Sequence, residues 1–104
     1  MLLSTTETIN DKKIVKHLGL VRGNTIRARH IGRDIMAVLR NIVGGEVTDY
    51  TKMMAEAREQ SLDRMVEEAQ KLGANAIVGV KFSTTEMMQH AAEIMVYGTA
   101  VVVE

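Results

Sequence analysis

The stretch Lys71-Leu72-Gly73-Ala74-Asn75-Ala76-Ile77-Val78-Gly79-Val80 constrains this chain more than any other. A long amphipathic pattern runs into it, and an unbroken apolar run leaves it. Gly73 stands where a helix needs a left-handed residue to stop, a conformation that glycine takes without a Cβ penalty. Ala76 to Val80 shows no polar alternation, the mark of a strand covered on both faces. The decapeptide therefore predicts passage from a surface helix into the middle of a sheet. It carries architecture and no chemistry.

The 104 residues suit one domain, 1–104, with a single core. Thirteen basic and thirteen acidic residues cancel, so no strong field steers the chain toward nucleic acid, a membrane or a highly charged substrate. The absence of cysteine rules out disulfides and thiolate catalysis. Met1 to Glu7 lacks a basic n-region and a long apolar h-region, and no apolar run approaches the roughly 20 residues that span a bilayer. A soluble cytoplasmic protein is expected. With three aromatic residues and no proline, packing must rely on aliphatic side chains and eight methionines.

Leu2 to Ile9 suits an extended arm or strand, and Asn10-Asp11 is turn chemistry. Ile14 to Val21 reads as a strand with a bulge or close approach at Gly19. Thr25 to Arg29 again looks extended, so this region is one long bent strand or two joined tightly. Apolar residues from Ile31 to Val43 recur at helical spacing, with Asp34 near the start of that helix and Gly44-Gly45 at its end. Asp49 is the expected N-cap of a second helix, Tyr50 to Leu72, whose stripe includes Met53, Met54, Ala57, Met65 and Ala69. Its Glu67 and Lys71 stand in the favourable i,i+4 order. Strands are expected over Ala76–Thr84 and Ile94–Val103, with Thr85 to Glu93 as their connection. The order predicts α+β architecture, two helices on one face of a small, largely antiparallel sheet.

Ile94 to Val103 is nearly apolar at odd and even positions alike. Successive strand side chains point to opposite faces, so both faces want cover, and two helices supply only one. A homo-oligomer is expected, its second sheet face packed on neighbouring subunits.

Several separated stretches carry a family resemblance. Thr5-Thr6, Leu18-Gly19-Leu20-Val21-Arg22-Gly23, Asp34, Gly44-Gly45 and Tyr50 form its first half. Ala57-Arg58, Met65, Ala69, the Leu72–Val80 segment and Gly98-Thr99-Ala100-Val101 complete it. Over nearly its whole length the chain resembles the YbjQ-like family, a family of uncharacterised function labelled for heavy-metal binding. The resemblance implies a dodecin-like α+β subunit that assembles into homopentamers. The matched residues are mostly glycine, alanine and aliphatic, which are fold determinants rather than ligands.

The candidate chemistry is thin. The best local set for a soft metal is Met87, Met88 and His90, with Glu86 and Glu93 nearby, and it would need neighbouring subunits to converge. The competing reading is loop packing at a subunit contact, and no His/Cys signature of a metal site is present. His30 and Asp34 read as a helix-terminal histidine and its capping carboxylate. Arg22, Arg27, Arg29, His30 and Arg33 form a basic run without an acid, but the chain lacks aromatics to stack on bases, so a solvated rim is the better reading and no nucleic acid is expected. Ser4, Ser61 and Ser83 have no catalytic context, and Gly19 to Gly23 has the wrong composition for a phosphate loop. No catalytic residue, metal-ligand set or cofactor-binding residue is assigned, and no cofactor is indicated. The expected function is that of a homo-oligomeric, non-enzymatic binding protein taking a metal or small ligand at subunit junctions. The alternative is a structural or partner-docking ring with no small ligand.

Overall fold

The computed structural model describes residues 1–28, 45–88 and 91–104, and of residues 27–28, 45–51, 87–88 and 91 only the backbone. The expected first helix from Ile31 to Val43, with Asp34, lies outside the described residues, so one helix is seen on the sheet. The elements are β1 (Leu2–Leu3), β2 (Ile14–Ala28), α1 (Gly45–Lys71), β3 (Ala76–Met88) and β4 (Ala91–Val103). The strands form one mixed sheet in the order β1-β3-β4-β2. The long pairs β2·β4 and β3·β4 are antiparallel, whereas β1 runs parallel to β3 through Leu2 opposite Ala76 and Leu3 opposite Ile77.

Helix α1 ends as its sequence requires. Gly73 has φ +88°, its N–H donates to the Gln70 carbonyl at 3.0 Å, and the Ala74 N–H reaches back to the Ala69 carbonyl at 3.1 Å. This is a Schellman stop, which satisfies carbonyls the last turn leaves free. The start of the helix differs from expectation. It begins at Gly45, so Asp49 lies inside it instead of capping it. The 27 residues span about 40 Å.

Residues 14–28 form one strand, bent by register shifts between Ile14 and Lys16 and between His17 and Gly19. The Arg22-Gly23-Asn24 segment is continuous ladder, and the reason for its glycine lies across the sheet. A Cβ on Gly23 would sit 2.0 Å from the Ser61 carbonyl oxygen and 2.7 Å from the Met65 nitrogen. The helix backbone therefore rests directly on this strand, and only glycine leaves the room. Beside it the buried hydroxyls of Ser61 and Thr25 meet at 2.9 Å, with the Ala57 carbonyl 2.9 Å and the Ile94 carbonyl 3.2 Å from Ser61 Oγ. These partners remove the cost of burying two polar groups under the helix.

Around this contact Val21, Met65, Ala69, Ile77, Val80, Val96 and Ala100 form the main core. Met65 is fully buried, consistent with methionine as core filler. A second, smaller core lies on the opposite sheet face, where Ile9 and Ile14 pack on Ala76, Val78, Val101 and Val103. Ala76 to Val80 is thus shared between two cores, as a strand covered on both faces must be. The N-terminal arm that covers the second face is pinned at the β3 bulge, where the Gly79 N–H donates to the Thr6 carbonyl at 2.8 Å and the Val80 N–H to the Ser4 carbonyl at 3.0 Å. Asn75 closes this end: its amide donates to the Val103 carbonyl at 2.9 Å and accepts the Val103 N–H at 2.8 Å.

Among the described residues, the second face is covered at that end alone. Along β4, Ile94, Val96 and Ala100 are buried under the helix, while Met95, Tyr97 and Thr99 on the other side are half-buried. The expected loop from Thr85 to Glu93 is mostly strand, since β3 runs on to Met88 and β4 begins at Ala91. Pairing of Thr85 with Glu93 and of Glu86 with Ala92 overrides the weak strand signal of this segment. No described helix is long and apolar enough to cross a membrane.

Candidate functional site

A polar groove of about 450 Å³ opens where the outer strand β2 meets the C-terminal half of α1. Arg22, Gly23 and Asn24 form its floor, and Arg64, Glu67, Glu68 and Lys71 form its wall. The geometry follows from the Gly23 contact. With the helix seated on β2, side chains one turn further along overhang the strand's outer side. Arg64 is the clearest case: its guanidinium donates through Nη1 to the Asn24 backbone carbonyl. The Glu67 and Lys71 of the expected i,i+4 pair both belong to this wall.

Three cations and two carboxylates share the groove, all at exposed positions. Such a set can orient a polar group or a peptide edge by charge. It offers no nucleophile with an adjacent base.

The residues singled out by sequence are scattered. Arg22 lies in the groove, but the side chain of Arg27 and residues Arg29, His30 and Arg33 lie outside the described set, so the basic run is not seen as a unit. The Met87 and Met88 side chains and His90 also lie outside it. Glu86 pairs with Ala92 and Glu93 with Thr85, adjacent rungs of one antiparallel ladder, so the two carboxylates leave opposite faces of the hairpin. They do not flank one site. Ser61 is a buried structural hydroxyl, and the half-buried Ser4 bonds Thr6 within the arm at 2.5 Å. Gly19 to Gly23 is strand, in agreement with the composition that argued against a phosphate loop. Sequence reasoning missed Arg64 and Glu68, because nothing in a helical pattern distinguishes the side chains that overhang a neighbouring strand.

One helix laid across a small mixed sheet, with a shallow charged groove at its outer strand, defines an α+β architecture. A solved structure supports that architecture: a protein of unknown function in the DUF74 family from Pediococcus pentosaceus superposes with a TM-score of 0.68, covering 100% of this chain and 98% of its own at 16% identity. The chain belongs to the YbjQ family, whose model, described as "Putative heavy-metal-binding", matches residues 1–104. It is 59% identical to a UPF0145 protein of Dehalococcoides mccartyi strain BAV1 over 104 residues, covering 100% of both chains. A UPF0145 protein of Methanosarcina acetivorans is 56% identical, with 97% of this chain and 95% of the relative covered. A third, from Thermococcus kodakarensis, is 58% identical, with 100% and 92% covered.

The family's metal description was tested against the residues. Among the described residues no three His, Cys, Asp or Glu side chains converge as a metal set. The two groove carboxylates stand among three cations, an electrostatic setting that opposes a further cation. The described residues do not fit a resident heavy metal.

Proposed function

We propose that this chain is the subunit of a closed homo-oligomer that acts by binding and assembly rather than catalysis. The observation that carries the reading is where the large apolar side chains stay exposed. On the β1/β3 side these are Met1, Leu2, Leu3 and Phe82, with Leu72 at the adjoining helix end. On the β2 side they are Val15, Leu20 and Ile26, the last two 68% and 59% exposed. The two sets lie on opposite outer sides of the sheet and differ from each other. Unlike patches on opposite sides suit head-to-tail contact, and such a contact closes into a ring when its rotation permits.

Shape supports the same reading. The radius of gyration is 17.2 Å, against about 13 Å for a compact domain of this length. Strands of 13 to 15 residues carry the sheet beyond what one helix covers. Five copies is the number the family resemblance implies. The charged groove, lying on the β2 side, falls at the junction between subunits and is the place for a small polar ligand.

The test uses two double variants. Leu20→Asp with Ile26→Asp breaks the β2 side, and Leu3→Asp with Phe82→Asp breaks the other. Each alone should lose the assembled mass seen by native mass spectrometry, and their mixture should form a discrete species of two chains. Variants that keep the wild-type mass, or that each pair with themselves, overturn the head-to-tail reading. Equilibrium dialysis of the wild type against a metal panel tests the ligand: a retained metal would contradict a polar-ligand groove.

A further inference from the structure

The β2 side has a second property besides its apolar residues. Among the described residues, β2 is paired with β4 on one side only. Its other side is a 15-residue run of backbone, about 50 Å of potential ladder. A long free edge is a template for open-ended pairing with other chains, and folded proteins blunt such edges with bulges or charged side chains.

The two halves of β2 differ in this respect. The first half is broken by its register shifts, at Ile14/Lys16 and at His17/Gly19. From Gly19 to Ala28 the register against β4 is regular, so this is the half on which another strand would lie most easily. The Arg64 guanidinium sits in the middle of that half, on the Asn24 carbonyl. It reaches across from the helix, and Glu67, Glu68 and Lys71 stand along the same groove.

We propose that Arg64 is an edge guard: its bond to the Asn24 carbonyl blocks backbone pairing along the regular half of β2 and confines self-association there to side-chain contact. An incoming strand must displace the guanidinium from its acceptor and bring its own backbone between charged side chains. Both steps cost free energy that a bare edge would not. The guard thus favours a closed assembly over an open ladder. This rests on the reading that the β2 side is an assembly surface, but it is tested separately.

The variant is Arg64→Met, which keeps the aliphatic stem and removes only the guanidinium. Wild type, Arg64→Met and Arg64→Lys are compared at equal concentrations by sedimentation velocity, thioflavin fluorescence and thermal melting. Arg64→Met should form species of at least doubled weight-average mass that bind thioflavin, with little change in melting temperature. Arg64→Lys, which retains a charged donor, should stay close to wild type. An Arg64→Met protein with wild-type mass and no thioflavin signal overturns the proposal, and a lowered melting point in that case leaves Arg64 as a pin between helix and strand. If Arg64→Met fails to fold, an Arg64→Lys protein that folds yet forms the large species overturns it equally. A monomeric wild type would defeat the closed-oligomer reading alone, because the guard is judged by the gain over wild type.

Discussion

The two faces of the sheet are finished differently, and the difference separates what one chain completes from what it leaves open. Under α1 the packing is close enough to bring helix backbone onto strand backbone at Gly23, with the Ser61 and Thr25 hydroxyls satisfied beside it. On the opposite face the arm's Ile9 covers one end, while Met95, Tyr97 and Thr99 are half-buried and Leu20 and Ile26 are exposed. The first face is a finished core. The second, with the outer sides of the sheet, is left largely uncovered by the described residues.

Four substitutions press on that contrast. Gly23→Val should have the largest effect, because its Cβ would overlap the Ser61 carbonyl and backbone cannot give way as a side chain can. A loss of about 3 kcal/mol or more is expected from urea titration, enough to unfold a marginal domain. Met65→Ala, emptying a fully buried site, should cost about 2–5 kcal/mol by the same titration. Gly73→Val meets no steric obstacle, since nothing lies within 4 Å of a Cβ there. Its cost is the left-handed backbone alone, about 1–2 kcal/mol, and the weakened helix exit should lower assembled mass as well as melting temperature. Leu20→Ser should leave stability within about 0.5 kcal/mol yet reduce assembled mass. A Leu20→Ser protein that melts much earlier would show that this residue belongs to the core and would erase the contrast.

How far the sequence disclosed this arrangement depended on whether a signal was local. The Gly73 stop and the two-faced Ala76–Val80 strand were legible, because a positive φ and an unbroken apolar run are written in consecutive residues. Asp49 misled because a carboxylate suits the first turns of a helix as well as its cap. Thr85 to Met88 misled because a strand with weak alternation is held in place by its partner β4. The groove could not be read at all. Arg64 and Asn24 are 40 residues apart, and their contact exists only because the helix crosses β2 at Gly23. The family assignment was legible from scattered glycines and alanines, and those residues determine a fold without naming a ligand.

The central claim is that one copy does not complete this sheet. Sedimentation equilibrium of the wild-type protein at micromolar concentration tests it most directly. The account predicts a single species several times the 11.5 kDa chain mass, with none at chain mass. A protein that sediments as a monomer across that range would contradict it.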